Sequence, residues 1–184
     1  RDEARRKLMG SLRNQELLGV KSNRGFLFNI LNHSKFAAGE ATTAFIEKDF
    51  AADKTLSPHP LDAQQQALCA WLFFLRSGLS NPQAQERAFW RNSNPAPTWF
   101  ELEQLSEKYS ISVQVTGDRS KSFLIQVGSE NFQFQLIDMA EQTIEFICND
   151  VKRKSVFAFS GATQLYIATH EGCALVEDKT HAPA

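Results

Sequence analysis

Three cysteines (Cys69, Cys148, Cys173) and four histidines (His33, His59, His170, His181) are the side chains through which this chain could bind a metal or supply a nucleophile. A zinc site draws paired ligands at close spacing, and these lie far apart. The cysteines stand in apolar surroundings, which predicts buried thiols in a reducing compartment. His59 sits between two prolines in a linker and reads as solvated. His170-Glu171 reads as a neighbour contact at a strand turn. Ser160-Gly161 and Gly128-Ser129 are turn pairs, outside any nucleophile elbow, and Gly117, Gly128 and Gly161 make no phosphate-binding loop. Asp49, Asp53 and Asp62 lie in or near a linker without a partner pattern. An enzyme normally shows a convergent polar cluster. The residue types here point instead to a structural or interaction domain.

The chemistry that remains is that of binding. Residues 78 to 98, GLSNPQAQERAFWRNSNPAPT, form a long connection, unusual inside a compact domain. It places Arg87, Phe89, Trp90 and Arg91 close together and ends against Trp99. Aromatics beside arginines dominate the hot spots of protein interfaces, so these five are the candidate partner-binding residues. The alternative is that the aromatics fold back as a lid.

The elements that must position them begin with Ala67–Leu75, ALCAWLFFL. Pro60-Leu61-Asp62 offers a helix start and Gly78 a stop, predicting a helix over 61–77. Its second half is apolar all round, with Leu68, Trp71, Leu72, Phe74 and Leu75 as the structural core. Such a helix must be surrounded by protein or lipid, and nine apolar residues are far too few to span a bilayer. From residue 99 the period becomes two. Strands are expected at 99–105, 109–116, 121–128, 131–138, 143–149, 152–160, 163–170 and 172–177. Phe123, Ile125 and Val127 share one face; Phe132, Phe134 and Leu136 oppose Gln133 and Gln135; Ile144, Phe146 and Cys148 oppose Glu145. Turn chemistry stands at Thr116-Gly117-Asp118, Gly128-Ser129-Glu130, Asn149-Asp150 and Ser160-Gly161. Eight such strands can close into an antiparallel β-barrel, and the helix of Trp71 and Phe74 is its filler. The expected fold is therefore mainly β with α: an eight-stranded barrel around a central helix, preceded by a short helical segment.

That preceding segment reads as a thin-faced helix over 1–17, a connector at 18–23, and a helix over 24–32 with Asn23 as N-cap. A short turn follows at 35–39, then a stretch at 42–47 that suits either strand or helical turn. Residues 50–60, FAADKTLSPHP, read as a linker. The opening Arg1-Asp2-Glu3, without a methionine, points to a piece of a longer chain.

Composition narrows the classes. Net charge is −1 and charged residues make up 22 %. With no basic stripe, nucleic acid is not an expected partner. With no apolar run of membrane-spanning length, neither is a membrane.

Residues 1 to 46 resemble the end of the biotin carboxylase domain of biotin-dependent acyl-CoA carboxylases. The resemblance rests on Gly19-Val20-Lys21-Ser22-Asn23, Phe26-Leu27, Leu31, His33, Phe36, Gly39 and Thr43-Ala44-Phe45-Ile46. Ser34 stands where that pattern usually has proline. Asn23, His33 and Gly39 match positions that are structural in the family. In such biotin-bearing subunits a linking domain follows, one helix inside an eight-stranded barrel, which joins the carboxylase to the biotin carrier domain and docks on the carboxyltransferase subunit.

The resemblance therefore implies four parts: 1–49 as the end of the carboxylase domain, 50–60 as linker, 61–178 as the linking domain, and 179–184 as the start of a linker to a biotin carrier domain. It implies a docking role without catalysis, with the carboxyltransferase subunit and the rest of the carboxylase domain as partners. The connection from Gly78 to Thr98 corresponds in place to the family's protruding hook. Biotin, ATP and Mg2+ would belong to other parts of the subunit, since the biotin-accepting A/V-M-K-M motif is not in this sequence. Thr42–Ile46 and Pro97-Thr98-Trp99 lean toward the methylcrotonyl-CoA branch, with geranyl-CoA and propionyl-CoA carboxylases as alternatives. Location would be cytoplasmic in a bacterium and the mitochondrial matrix in a eukaryote. Two readings compete: a small-ligand barrel, which needs an empty lumen, and a hydrolase, which needs a polar cluster.

Overall fold

The computed structural model describes residues 1–79, 96–116, 122–169 and 172–181. The chain divides into two units, one of Arg1–His59 with Ala168–Ala174, the other of Pro60–Ile167 with Leu175–Ala184.

The first unit holds four short helices, α1 (Asp2–Asn14), α2 (Arg24–Asn32), α3 (Ser34–Ala38) and α4 (Phe45–Asp49), and a 3-10 turn at Lys54–Leu56. α1 stops at Asn14, earlier than the 1–17 expected, because Gln15 turns into extended backbone (φ −87°, ψ 121°). Asn23 occupies the N-cap of α2 without a side-chain hydrogen bond. His33 caps α3, its Nδ1 accepting from Lys35 N at 3.3 Å, while its ring meets Phe45 edge-on at 5.0 Å. The stretch at 42–47 resolves as the start of α4. Few apolar side chains are buried here, Phe45 and Phe50 among them. Polar fastenings carry much of the rest: Arg5 donates to Leu31 O at 2.8 Å, and Asn29 donates to Asp53 at 3.1 and 3.2 Å. Burial works to raise the Asp53 pKa, but hydrogen bonds from the Thr55 side chain and backbone and from Asn29 outweigh it and hold this carboxyl below its usual range.

The second unit is one helix, α5 (Ala63–Leu79), and eight strands. These are β1 (Thr98–Gln104), β2 (Glu107–Thr116), β3 (Ser122–Val127), β4 (Glu130–Met139), β5 (Thr143–Cys148), β6 (Val151–Ser160), β7 (Gln164–Ala168) and β8 (Cys173–Asp178). They close in sequence order into an antiparallel barrel, the seam between β1 and β8 pairing Leu102 with Asp178 and Glu103 with Glu177. The expected fold is the observed one. Alternation assigns the faces as read: Phe123, Ile125, Phe132, Phe134, Ile144 and Phe146 point inward and are buried, while Gln126, Gln133 and Gln135 face out. Cys69 and Cys148 are buried; Cys173 is only partly so.

α5 begins two residues later than the sequence suggests and runs past Gly78. Asp62 explains the start. Gln65 N donates to Asp62 Oδ1 at 2.7 Å and Asp62 N donates to Gln65 Oε1 at 3.0 Å, a reciprocal capping box that satisfies two otherwise orphaned amides. Leu61 stays outside the helix because its N–H donates to buried Gln104 at 2.9 Å, while its carbonyl accepts from Gln66 Nε2 at 2.8 Å. A buried amide left without an acceptor costs about 1–3 kcal/mol. Gln104→Leu should therefore lower stability by about that amount, and Gln104→Glu, which keeps the acceptor, by less; urea midpoints compared at constant m-value test this.

Candidate functional site

The apolar stretch Ala67–Leu75 is buried on every side. Trp71 is 0 % exposed, with ring centroids 5.2 Å from Phe123, 5.1 Å from Phe134 and 5.6 Å from Phe146. These are edge-to-face packings of the kind aromatic quadrupoles favour. Phe74 meets Phe123 at 5.9 Å, and Phe73 meets Phe159 at 5.4 Å. Leu68, Leu72 and Leu75 complete the filling. The five core residues named from sequence are therefore brought together. They occupy the lumen that a small-ligand barrel would need empty.

Burial also decides the thiol chemistry. It pushes the Cys69 pKa well up, with the Asp62 carboxylate adding to the shift. Burial raises the Cys148 pKa too, partly offset by Arg153. A nucleophile or metal ligand needs the thiolate, so neither thiol is poised for chemistry. Among the described residues no three His, Cys, Asp or Glu side chains come together to hold a metal. Nor is any described helix long and apolar enough to cross a membrane. Asp62 is the helix cap, Asp53 a turn cap, and Asp49 an ion-pair partner of Lys35: each carboxylate near the linker has structural work.

Of the binding candidates, Trp99 lies at one end of the barrel. Strands alternate in direction, so the start of β1, the β6–β7 turn and the last turn of α5 share that end. Trp99 stands there on the outer face of β1, opposite Ser112 and 54 % exposed. A large aromatic left this open on a strand is the kind of anchor that interfaces use. Arg87, Phe89, Trp90 and Arg91 lie outside the described residues, as do His170, Glu171, Gly117 and Asp118. Arg76 was not singled out from sequence. Its guanidinium lies 4.4 Å from the centre of the Phe159 ring, and its Nη2 donates to Gly161 O at 2.7 Å. Arg24 was missed as well: it is buried and bound to main-chain carbonyls. No sequence pattern marks either residue, because a carbonyl acceptor carries no residue identity.

No family model matches the chain. A 46-residue stretch is 44 % identical to the pyruvate carboxylase of Staphylococcus aureus (strain Mu50 / ATCC 700699), covering 25 % of this chain and 4 % of that protein. The chain thus spans a small part of the length of the curated relative it matches. The likeness is a distant, partial one to a biotin-dependent carboxylase, and it accompanies a closed barrel filled by a helix.

Proposed function

We propose that this chain is a non-catalytic assembly domain of a biotin-dependent acyl-CoA carboxylase, docking the biotin-bearing subunit onto its carboxyltransferase subunit. The observation that carries the reading is the filled barrel: a lumen occupied by Trp71 and its phenylalanine cage leaves the outside of the barrel as the working surface. The partial match to a carboxylase supports the family. On this reading residues 1–49 are the end of the biotin carboxylase domain, 50–60 a linker, 61–178 the linking domain and 179–184 the start of the next linker. Biotin, ATP and Mg2+ belong to other parts of the subunit. The domain supplies geometry: holding two active sites at a fixed separation raises the effective concentration of a tethered carrier at each.

The methylcrotonyl-CoA branch is the first choice, on Thr42–Ile46 and Pro97-Thr98-Trp99, with geranyl-CoA and propionyl-CoA carboxylases next. The matched relative is a pyruvate carboxylase and does not choose among them. The location follows the enzyme: cytoplasmic in a bacterium, the matrix in a mitochondrion.

The test is direct binding of this chain to purified, immobilised carboxyltransferase subunits of the three acyl-CoA branches. Binding to one supports the role and names the substrate class; binding to none overturns it. The contact residues are Arg87, Phe89, Trp90, Arg91 and Trp99. Changing Phe89, Trp90 and Arg91 together to alanine should weaken binding at least about tenfold, since each is a hot-spot type. An unchanged affinity would remove these three from the interface.

A further inference from the structure

The core of α5 is locked by packing as far as Leu75, but the helix continues to Leu79. Its last turn carries carbonyls with no partner further along the helix. Ser77 Oγ donates to Phe74 O at 2.7 Å. Among the described residues, Arg76 ties this turn to the barrel wall. Its guanidinium stacks on Phe159 at 4.4 Å and donates to Gly161 O at 2.7 Å. The two contacts differ in kind and direction, so together they fix the position of the side chain. The platform is itself held: Phe159 meets Phe73 at 5.4 Å and Phe157 at 5.7 Å, both edge-to-face. Gly161 has φ +64°, a left-handed conformation that glycine adopts without strain, and it turns its carbonyl to the arginine. A cation in the last helical turn is also favoured by the helix dipole.

We infer that Arg76 is a positioning residue, a latch that fastens the last turn of α5 to the β6–β7 turn and so supports docking at that end of the barrel. The second half of this statement rests on the docking role proposed above. Lysine cannot replace the latch, because it lacks the flat face for Phe159 and the planar donor fork.

The experiment compares Arg76→Ala and Arg76→Lys with wild type in the full chain, by amide hydrogen exchange and by affinity for the carboxyltransferase subunit that wild type binds. A lost charge-assisted hydrogen bond and cation–π contact should speed exchange in Phe74–Leu79 about tenfold, with β3, β4 and β5 unchanged. Affinity should fall at least about threefold on the same grounds, with lysine restoring little of either. Uniformly faster exchange across the barrel would make Arg76 a general stability residue and overturn the latch, as would unchanged exchange in the last turn. Faster local exchange with unchanged affinity would keep the latch and remove its link to docking. If wild type binds none of the subunits, the docking role fails along with that link, while the exchange data still decide the latch.

Discussion

Trp71→Ala should cost the barrel about 3–5 kcal/mol, the range seen when a large buried aromatic is cut to alanine. The indole is 0 % exposed and touches phenylalanines from three successive strands, Phe123 on β3, Phe134 on β4 and Phe146 on β5. Those phenylalanines also pack on each other, Phe134 and Phe146 at 5.1 Å, so the cage is held from outside and cannot collapse into the space left behind. The cavity cost is then added to the lost transfer energy. A domain of ordinary stability has about 5–15 kcal/mol in hand, and this one change removes a large part of it.

Trp71→Phe should behave differently. The indole Nε1–H is buried and has no hydrogen-bond partner among the described residues. An orphaned buried donor is worth about 1–3 kcal/mol against the fold. Phenylalanine keeps one ring in the cage and removes that donor, so its smaller volume is largely offset and the loss should stay below about 1.5 kcal/mol. Urea unfolding followed by circular dichroism gives both numbers, without relying on the fluorescence of the residue being changed. Equal losses for the two variants would show that the donor carries no penalty. A loss under about 1 kcal/mol for alanine would mean that the cage closes after all.

The sequence shows this cage more readily than it shows the fastenings around it. Phe-x-Phe in β4 alternates with glutamines, and Ile-x-Phe-x-Cys in β5 with Glu145 and Ile147; a two-residue period of buried apolar positions has one physical meaning, a sheet with one dry face. Asn149-Asp150 reads as a turn because these side chains tolerate the left-handed backbone found there, φ +46° and +65°. The β1–β2 turn has the same backbone at Leu105 and Ser106, φ +51° and +66°, but neither residue advertises it. From sequence that turn is therefore expected to be wider, with the second strand from 109, whereas β2 starts at Glu107. The start of α5 was misplaced for a similar reason. Asp62 and Gln65 have capping-box spacing, yet what keeps Leu61 out of the helix is Gln104, 43 residues away. Arg76 and Gly161 are 85 residues apart, and Arg24 and Thr169 are 145 apart. Long-range bonds from a side chain to a carbonyl leave no periodic trace. Of the binding candidates, composition marked Trp99, which the fold leaves exposed on the outer face of β1.

Arg24 carries the second large effect, and it falls on the helical unit. Its side chain is 8 % exposed and donates to Leu12 O at 3.4 Å, to Thr169 O at 2.8 Å and to Gln15 O; Glu16 lies 3.7 Å away. Leu12 is in the last turn of α1 and Gln15 is its C-cap, where carbonyls have no helical partner and a cation is favoured. One guanidinium therefore ends α1 and ties it to α2 and to Thr169. Arg24→Met keeps the stem and removes every donor, leaving these carbonyls without the arginine. Hydrogen bonds from a charged donor are worth about 1.5–3 kcal/mol each, but burying the ion has already cost several kcal/mol, so the net loss expected is about 3 kcal/mol. Lysine should recover little, because one ammonium cannot reach acceptors spread as the fork reaches them. The unit has few buried apolar side chains to fall back on. The loss should appear as amide exchange accelerating together through α1 and α2, while β3, β4 and β5 keep wild-type protection. Exchange that accelerates in α1 alone would show that Arg24 caps that helix without joining it to α2.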